Sequence, residues 1–337
     1  MPEEDSLLTV AIPTYGRPHE LRQCIQFLRN QSSHLFHLLI LDNASPVAAS
    51  SALGDLLDDF PAASVRIVRN RVNIGGDANI LRCFELCETE YLWVLGDDDE
   101  PLQDAVKTVY GEIGDHPDTI FFNFACELYP RTKEAVTNTL DEFISSVDSF
   151  SNILLISTSV YRRAALVPQL QIAYNYTYSM ASQVVLVLRA LLAEPGNCRL
   201  LQKRIVKWTP PPEGTQWSVV TQLLGLGILL DLPLSRKSRR NLARLLPRPR
   251  ALECMAIQVA GYRLQSKDSN SAGYIMDQIY SRLLFYSSGL AGRGRFFFYR
   301  YCLFLFPVFG LALFRLVIQV TGRGKELLNV RDPFCRL

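Results

Sequence analysis

The sequence predicts an α/β fold: a mostly parallel, Rossmann-like sheet flanked by helices, followed by a helical, basic C-terminal extension. Three observations carry this. Apolar runs alternate with helix-like stretches through the first 125 residues, polar clusters follow four of those runs, and the charge divides the chain into an acidic front and a basic back.

In order along the chain, "LLTVAIPTY" reads as a strand, and "GRPHELRQCIQFLRNQ" as a helix with Pro18 near its start and Leu21, Ile25 and Leu28 at helical spacing. "FHLLILDNAS" is a second strand, "SVRIVRN" a third, "DANILRCFELCE" a helix, "YLWVLGDDDE" a fourth strand and "TIFFNFAC" a fifth. Strands separated by helices require crossover connections, hence parallel pairing. Ligands of such sheets collect at the carboxyl ends of the strands. "PTYGRP", "DNAS", "NRVNIGGDAN" and "GDDDEP" all fall there.

Each cluster has a chemical use and a plainer alternative. Pro13, Thr14 and Tyr15 can form a rigid turn with an aromatic face for a nucleobase, and Arg17 can meet phosphate; a helix-capping turn uses the same residues. Asp42 can accept from a base N–H or cap the following turn. In "NIGGDAN", Asn73 and Gly75 are candidates for a nucleotide contact, Gly75 and Gly76 allowing close backbone approach at a helix start, against the reading of an ordinary loop-to-helix junction. Asp97, Asp98 and Asp99 repel one another unless a cation offsets the charge, and their hard oxygens suit Mg²⁺ or Mn²⁺ bridging a diphosphate. The alternative is a solvated acidic turn.

The stretches "VAIPTYGRPHELRQCIQFLRNQ", "LLILDNAS" and "VRNRVNIGGDANILRCFELCETEYLWVLGDDDEP" resemble the successive motifs of family-two glycosyltransferases of the GT-A fold, most like the abequosyltransferase-type enzymes of bacterial surface polysaccharide assembly. The resemblance covers residues 7–125 and continues more loosely to about 217. It implies that Pro13, Thr14, Tyr15 and Asp42 line a nucleoside pocket, with Asp42 on the base. Asp97 would face the ribose, Asp98 would ligate Mn²⁺ or Mg²⁺ as the second acid of an Asp-x-Asp motif, and Asp99 would support the metal. Gly96 departs from the pattern, standing where the motif has its first acid. The implied reaction is metal-dependent, inverting transfer of a sugar from a nucleotide-diphosphate donor to a lipid-linked or growing glycan in O-antigen-like polysaccharide synthesis.

The resemblance also implies a carboxylate that takes the acceptor's proton near "YNYTYSMASQVVLVLRALL", which contains none; Ser182 or Gln183 stands in its place. Candidates are Asp141, Glu142 and Gln183. The missing acid also supports the alternative of an inactive, membrane-associated nucleotide-binding scaffold. A template-dependent polymerase built on Gly-Asp-Asp does not suit the parallel order of the preceding strands, and a nucleotidyltransferase would need a richer glycine loop after the first strand.

The expected division is a catalytic domain over 1–217 and a membrane-associating helical region over 218–337. "KWTPPPEGTQW" is either a closing loop or a linker. Residues 1–231 carry 17 basic and 28 acidic side chains, whereas Leu232 to Lys325 carry 16 basic and 3 acidic. An anionic partner follows for the back half. "RFFFYRYCLFLFPVFGLALFRLVIQVTGRGK" favours a membrane surface over nucleic acid. Its charge-free run, Tyr301 to Phe314, has 14 residues and contains Pro307 and Gly310, short of the roughly 20 of a spanning helix. An interfacial segment is the expectation, with a span or a buried helix as alternatives. The acidic N-terminus lacks a basic signal region, so residence on the cytoplasmic side, peripherally on the membrane, is expected. The eight scattered cysteines suit free buried thiols better than a zinc site.

Overall fold

The computed structural model describes residues 6–61, 64–127, 130–207, 225–246, 251–265, 269–305 and 307–320. The chain divides into two compact units, Met1–Pro211 and Pro212–Leu337. The expected boundary between Trp217 and Ser218 lies outside the described residues, as does all of the proline-rich stretch after Lys207.

The first unit runs β1 (Leu8–Thr14), α1 (Pro18–Arg29), β2 (His37–Asp42), α2 (Ala49–Leu53), β3 (Val65–Arg69), α3 (Gly76–Leu86), β4 (Tyr91–Val94), β5 (Glu100–Pro101), α4 (Ala105–Asp115) and β6 (Thr119–Asn123). It continues through β7 (Ala135–Thr137), α5 (Leu140–Ser146), α6 (Phe150–Leu154), β8 (Ser159–Arg162), α7 (Arg163–Leu166), α8 (Leu170–Tyr174), α9 (Ser182–Ala193), β9 (Asn197–Leu200) and β10 (Val206–Lys207). All five strands expected from sequence are present. Eight strands form one sheet in the order β3-β2-β1-β4-β8-β6-β9-β7, and β10 pairs with β5 beside it. β3, β2, β1 and β4 are parallel neighbours, with Thr14 opposite Asp42 and Asp42 opposite Arg69. The ends of these four strands, and the polar clusters behind them, therefore stand side by side along one rim.

Helices cover both faces because the strands are apolar on both sides. On one face, α1 buries Leu21, Cys24, Ile25 and Leu28, which pack with Val10, Ile12, Ile40, Trp93 and with Val106 and Val109 of α4. On the other, Phe84 of α3 meets Tyr161 of β8 edge-on at 5.0 Å between centroids, and Tyr161 meets Phe121 of β6 at 5.4 Å. Each fully buried aromatic contributes about 1.5–3 kcal/mol through area removed from water, so these pairs fix β8 between β4 and β6.

β8 is antiparallel to both neighbours, so β6 runs with β4, and β9 runs with β6. β7 runs against β9, and Gly196 N–H donates to Asn138 O at 2.9 Å just before β9 begins. Asn138 and the start of α5 therefore sit where the parallel strands begin. This corrects the expectation for Asp141 and Glu142: both lie in the first turn of α5, at the rim opposite the strand ends. There Glu142 closes a capping box with Thr139. Their acidity serves the helix start.

The second unit contains α10 (Arg236–Leu245), α11 (Leu252–Gln265), α12 (Ser269–Ser287), α13 (Leu290–Leu305) and α14 (Pro307–Val320). Leu242, Cys254, Ile257, Met276, Tyr280, Leu283, Phe296 and Leu303 form its buried interior. Asp277 of α12 is buried there and paired with Arg300 of α13 at 2.6 Å. Among the described residues, no helix is long and apolar enough to cross a membrane.

Candidate functional site

The site is the rim formed by the ends of β3, β2, β1 and β4. After Val94 the chain turns, with Asp99 N–H donating to Gly96 O at 3.2 Å, which brings all three aspartates over the strand mouth. Thr14 Oγ1 donates to Asp97 Oδ2 at 2.6 Å. Arg17 Nη1 donates to Asp97 Oδ1 at 3.1 Å and Asp98 Oδ2 at 2.7 Å. Ser157 Oγ donates to Asp99 Oδ2 at 2.5 Å and accepts from Gly96 N–H at 2.8 Å. In this structure, the cation that offsets the acids is Arg17.

Burial pushes the Asp97 and Asp99 carboxyls up, each to about 6. For Asp97, Thr14 and Arg17 pull the other way while Asp98 adds to the rise; for Asp99, Ser157 pulls down while Asp98 and Asp97 add. Arg17 is held above its usual range by Asp97 and Asp98, which outweigh its partial burial.

The other sequence candidates divide. Tyr15 is exposed on the turn before Gly16, whose φ of 67° is the left-handed conformation that glycine adopts without strain. Pro13, near the end of β1, is half-buried. Asp42 is only 1% exposed, and both of its oxygens are engaged: Oδ1 by Ser45 N–H at 2.8 Å, Oδ2 by Ala49 N–H at 3.1 Å and Arg69 Nη1 at 2.5 Å. Those donors overcome the effect of burial and hold the carboxyl below its ordinary value. Asp42 thus caps the start of α2 and orders the loop after β2. Asn73 Oδ1 accepts from Asn43 Nδ2 at 2.8 Å and from Gly75 N–H at 2.9 Å, so it shapes the glycine loop from within. Gly75, with φ of 88°, is the residue before α3 and is exposed. Gln183 is buried in the first turn of α9, with Nε2 donating to Leu154 O at 2.7 Å.

Sequence reasoning passed over the side chains that hold these parts together. Asn43, Asn70 and Asn79 form a buried network: Asn70 Nδ2 donates to Asn43 Oδ1 and Asn79 Oδ1, both at 2.9 Å, and Asn79 Nδ2 donates to Leu41 O at 3.0 Å. Asparagines recurring after successive strand-like runs were the available signal. Ser157, 58 residues beyond Asp99, left none.

A divalent cation fits only with help. Among the described residues no cluster of three or more His, Cys, Asp or Glu side chains could hold a metal. Two carboxylates do converge: Asp98 Oδ1 and Asp99 Oδ2 lie 3.3 and 2.8 Å from the point where a Cβ on Gly96 would stand. Hard oxygens in that number suit Mg²⁺ or Mn²⁺ when substrate phosphates complete the shell. The donor set is compatible with a metal that arrives with a diphosphate.

Residues 9–153 match the family described as Glycosyl transferase family 2. Over this stretch the chain is similar to family 2 glycosyltransferases. Abequosyltransferase RfbV of Salmonella typhimurium strain LT2 is 30% identical over 106 residues, a match spanning 30% of this chain and 30% of that protein. Among solved structures, S. aureus TarS 1-349 in complex with UDP-GlcNAc has a TM-score of 0.59 at 14% identity, covering 83% of this chain and 81% of that one. Mannosyltransferase PcManGT from Pyrobaculum calidifontis, in complex with GDP-Man and Mn²⁺, has a TM-score of 0.51 at 11% identity, covering 96% of this chain and 85% of that one. The fold is the GT-A fold shared by these glycosyltransferases.

Proposed function

We propose that the chain is an inverting, metal-dependent glycosyltransferase. It moves a sugar from a nucleoside-diphosphate donor to a lipid-linked or growing polysaccharide acceptor, in surface polysaccharide assembly of the O-antigen kind. The observation that carries the reading is Arg17 lying across Asp97 and Asp98 at the mouth of β1 and β4, inside the stretch similar to family 2 glycosyltransferases. A guanidinium balanced against carboxylates in this way is a group that a diphosphate can recruit.

In this reading Tyr15 stacks on the base, Asp97 meets the ribose, and Arg17 swings from the acids to the donor phosphates. Asp98 and Asp99 hold Mn²⁺ or Mg²⁺. The metal, when bound, supplies Lewis-acid stabilisation of charge on the leaving diphosphate. The protein's own part is to fix the anomeric carbon above the rim so that a hydroxyl attacks from the face opposite the leaving group. A nucleotide sugar in the TarS complex, and a nucleotide sugar with Mn²⁺ in the mannosyltransferase, support the donor class and the metal.

Residues 1–217 form the catalytic domain and 218–337 the membrane-associating region. Supporting the latter, Phe298, Tyr301 and Phe304 of α13 and Val308 and Phe309 of α14 are 61–74% exposed, and Arg236, Lys237 and Arg240 of α10 are exposed as well. Aromatic and cationic side chains together suit the inner, anionic face of a membrane. The absence of an acid from the first turn of α9 favours a second reading, a nucleotide-binding scaffold without turnover.

The deciding experiment is a panel of UDP-, dTDP-, CDP- and GDP-linked sugars with Mn²⁺ or Mg²⁺, with and without EDTA, scored for binding and slow hydrolysis. One donor bound and hydrolysed only with metal is the expected result. Binding without turnover, even with acceptor present, would select the scaffold.

A further inference from the structure

The first turn of α9 lacks a carboxylate in sequence, but a carboxylate stands against it in space. Ser182 N–H donates to Asp77 Oδ1 at 3.0 Å and Ser182 Oγ donates to the same oxygen at 2.7 Å. Asp77 belongs to the first turn of α3, directly after the glycine loop, and α3 packs along α9. Asp77 Oδ2 accepts no hydrogen bond from any described residue.

Topology puts this carboxylate on the strand-end rim. α3 leaves the end of β3 there, and a chain of contacts joins it to the acid cluster. Ser182 is followed by Gln183, whose Nε2 holds Leu154 O at 2.7 Å; three residues later Ser157 Oγ holds Asp99. Gln183 is 2% exposed, and its Oε1 has no partner among the described residues, an open acceptor beside Asp77's anchor.

We propose that Asp77 is the catalytic base of the transfer, supplied from α3 to the position that α9 leaves without an acid. The inference rests on the glycosyltransferase reading above. In the step, the acceptor hydroxyl oxygen forms a bond to the anomeric carbon while the bond from that carbon to the β-phosphate oxygen breaks. The electron pair of the broken bond leaves on the nucleoside diphosphate, and the hydroxyl proton passes to Asp77 Oδ2. Ser182 fixes the carboxylate through Oδ1, leaving Oδ2 for the proton.

Burial raises the Asp77 carboxyl above its ordinary value, and the two Ser182 contacts oppose that rise. Charges on the packed elements lie elsewhere. Arg82 and Glu85 are more than a turn further along α3, Tyr174 of α8 bonds Glu85 at that far end, and Arg189 lies about two turns into α9. Asp42 of β2 is engaged by Arg69 and the start of α2. A carboxylate moved upward in this way is, in its ionised form, a stronger base than an exposed one.

Asp77→Asn separates this role from a purely structural cap, because the Asn oxygen still accepts from Ser182. Donor binding is measured by calorimetry over the nucleotide-sugar panel with Mn²⁺, and hydrolysis is followed with water as acceptor. The expected result is an unchanged Kd and a rate lowered about 10²- to 10⁴-fold. Hydrolysis by the variant at the wild-type rate would overturn the proposal and leave Asp77 as a cap. Failure of the wild type to bind any donor would instead overturn the transferase reading, and the inference with it. Should Asp77→Asn not fold, Ser182→Ala keeps the carboxylate but removes one contact that lowers its pKa. Measured as kcat at saturating Mn²⁺ and nucleotide sugar, which hold Asp97 and Asp99 ionised, the acid limb must then move to higher pH, and an unmoved limb would equally exclude Asp77.

Discussion

Asp99 Oδ2 occupies the space that a side chain on Gly96 would need, 2.8 Å from the Cβ position. The departure of Gly96 from the motif's first acid therefore has a steric reason: the third acid folds back into the room the first would fill, and Ser157 pins it there. Gly96→Ala should leave the fold intact, since the clashing atom is the end of a side chain. It should displace Asp99 and weaken metal-dependent binding of a nucleoside diphosphate about tenfold or more, roughly 1.4 kcal/mol. Calorimetry with Mn²⁺, beside a melting curve, checks both halves. Restoring the acid with Gly96→Asp should fail to raise affinity for the same reason.

With Asp98 as a ligand of the metal, as proposed, Arg17 and an incoming metal would compete for it. Arg17→Gln removes the competitor, so Mn²⁺ alone should bind several-fold more tightly, while the nucleoside diphosphate loses a phosphate partner and binds more weakly. The metal-free protein should lose about 1 kcal/mol or less, because the Arg17 side chain is 38% exposed and its pairing is screened. Mn²⁺ titration by electron paramagnetic resonance, without and with nucleotide, measures the opposing changes. Parallel weakening of both would mean that Arg17 does not occupy the metal's place.

Asp97 and Asp99, with carboxyls raised to about 6, give the site a pH dependence of definite sign. A carboxyl whose folded pKa exceeds its unfolded value binds protons more tightly when folded, so its contribution to stability grows as pH falls from about 6 toward 4. For Asp99 alone the gain is on the order of 3 kcal/mol. Asp99→Asn should therefore flatten the stability profile of the metal-free protein between pH 7 and 5. A metal needs the ionised form, so the rise in Tm produced by Mn²⁺ with nucleoside diphosphate should shrink over the same interval. A ligand-induced shift independent of pH would show that these carboxyls are not its ligands.

The parallel half of the sheet was legible because each strand is a continuous apolar run ended by a polar turn, and the alternation with helices leaves few other topologies. β8 was not, since "SVYR" is four residues whose pairing depends on aromatic contacts with Phe84 and Phe121 far along the chain. The acid cluster could be located from sequence, but its cation could not, because the contact of Arg17 with Asp98 spans 81 residues. Asp42 shows a different limit. One carboxylate at a strand end serves a base reader or a cap equally well, and the amides of Ser45 and Ala49 that engage it exist only once the loop has folded. Asp77 and Ser182, 105 residues apart, leave no local pattern at all.

Phe298, Tyr301 and Phe304 recur every third residue on α13 and are 61–70% exposed, while Phe296 and Leu303 of the same helix are buried. A helix that buries one side in its own unit and turns aromatic rings outward on another has an unsatisfied apolar stripe. Replacing the three with serine removes apolar area without touching the buried side, so the fold should survive. Affinity for vesicles containing anionic lipid should fall at least tenfold, since each ring inserted at the interface contributes on the order of 1–2 kcal/mol. The exposed cations of α10 add a component that raised salt should weaken within the roughly 10 Å screening length at 0.1 M. Co-sedimentation with neutral and anionic vesicles, at low and high salt, separates the two terms. Unchanged binding by the triple variant would remove α13 from the membrane surface.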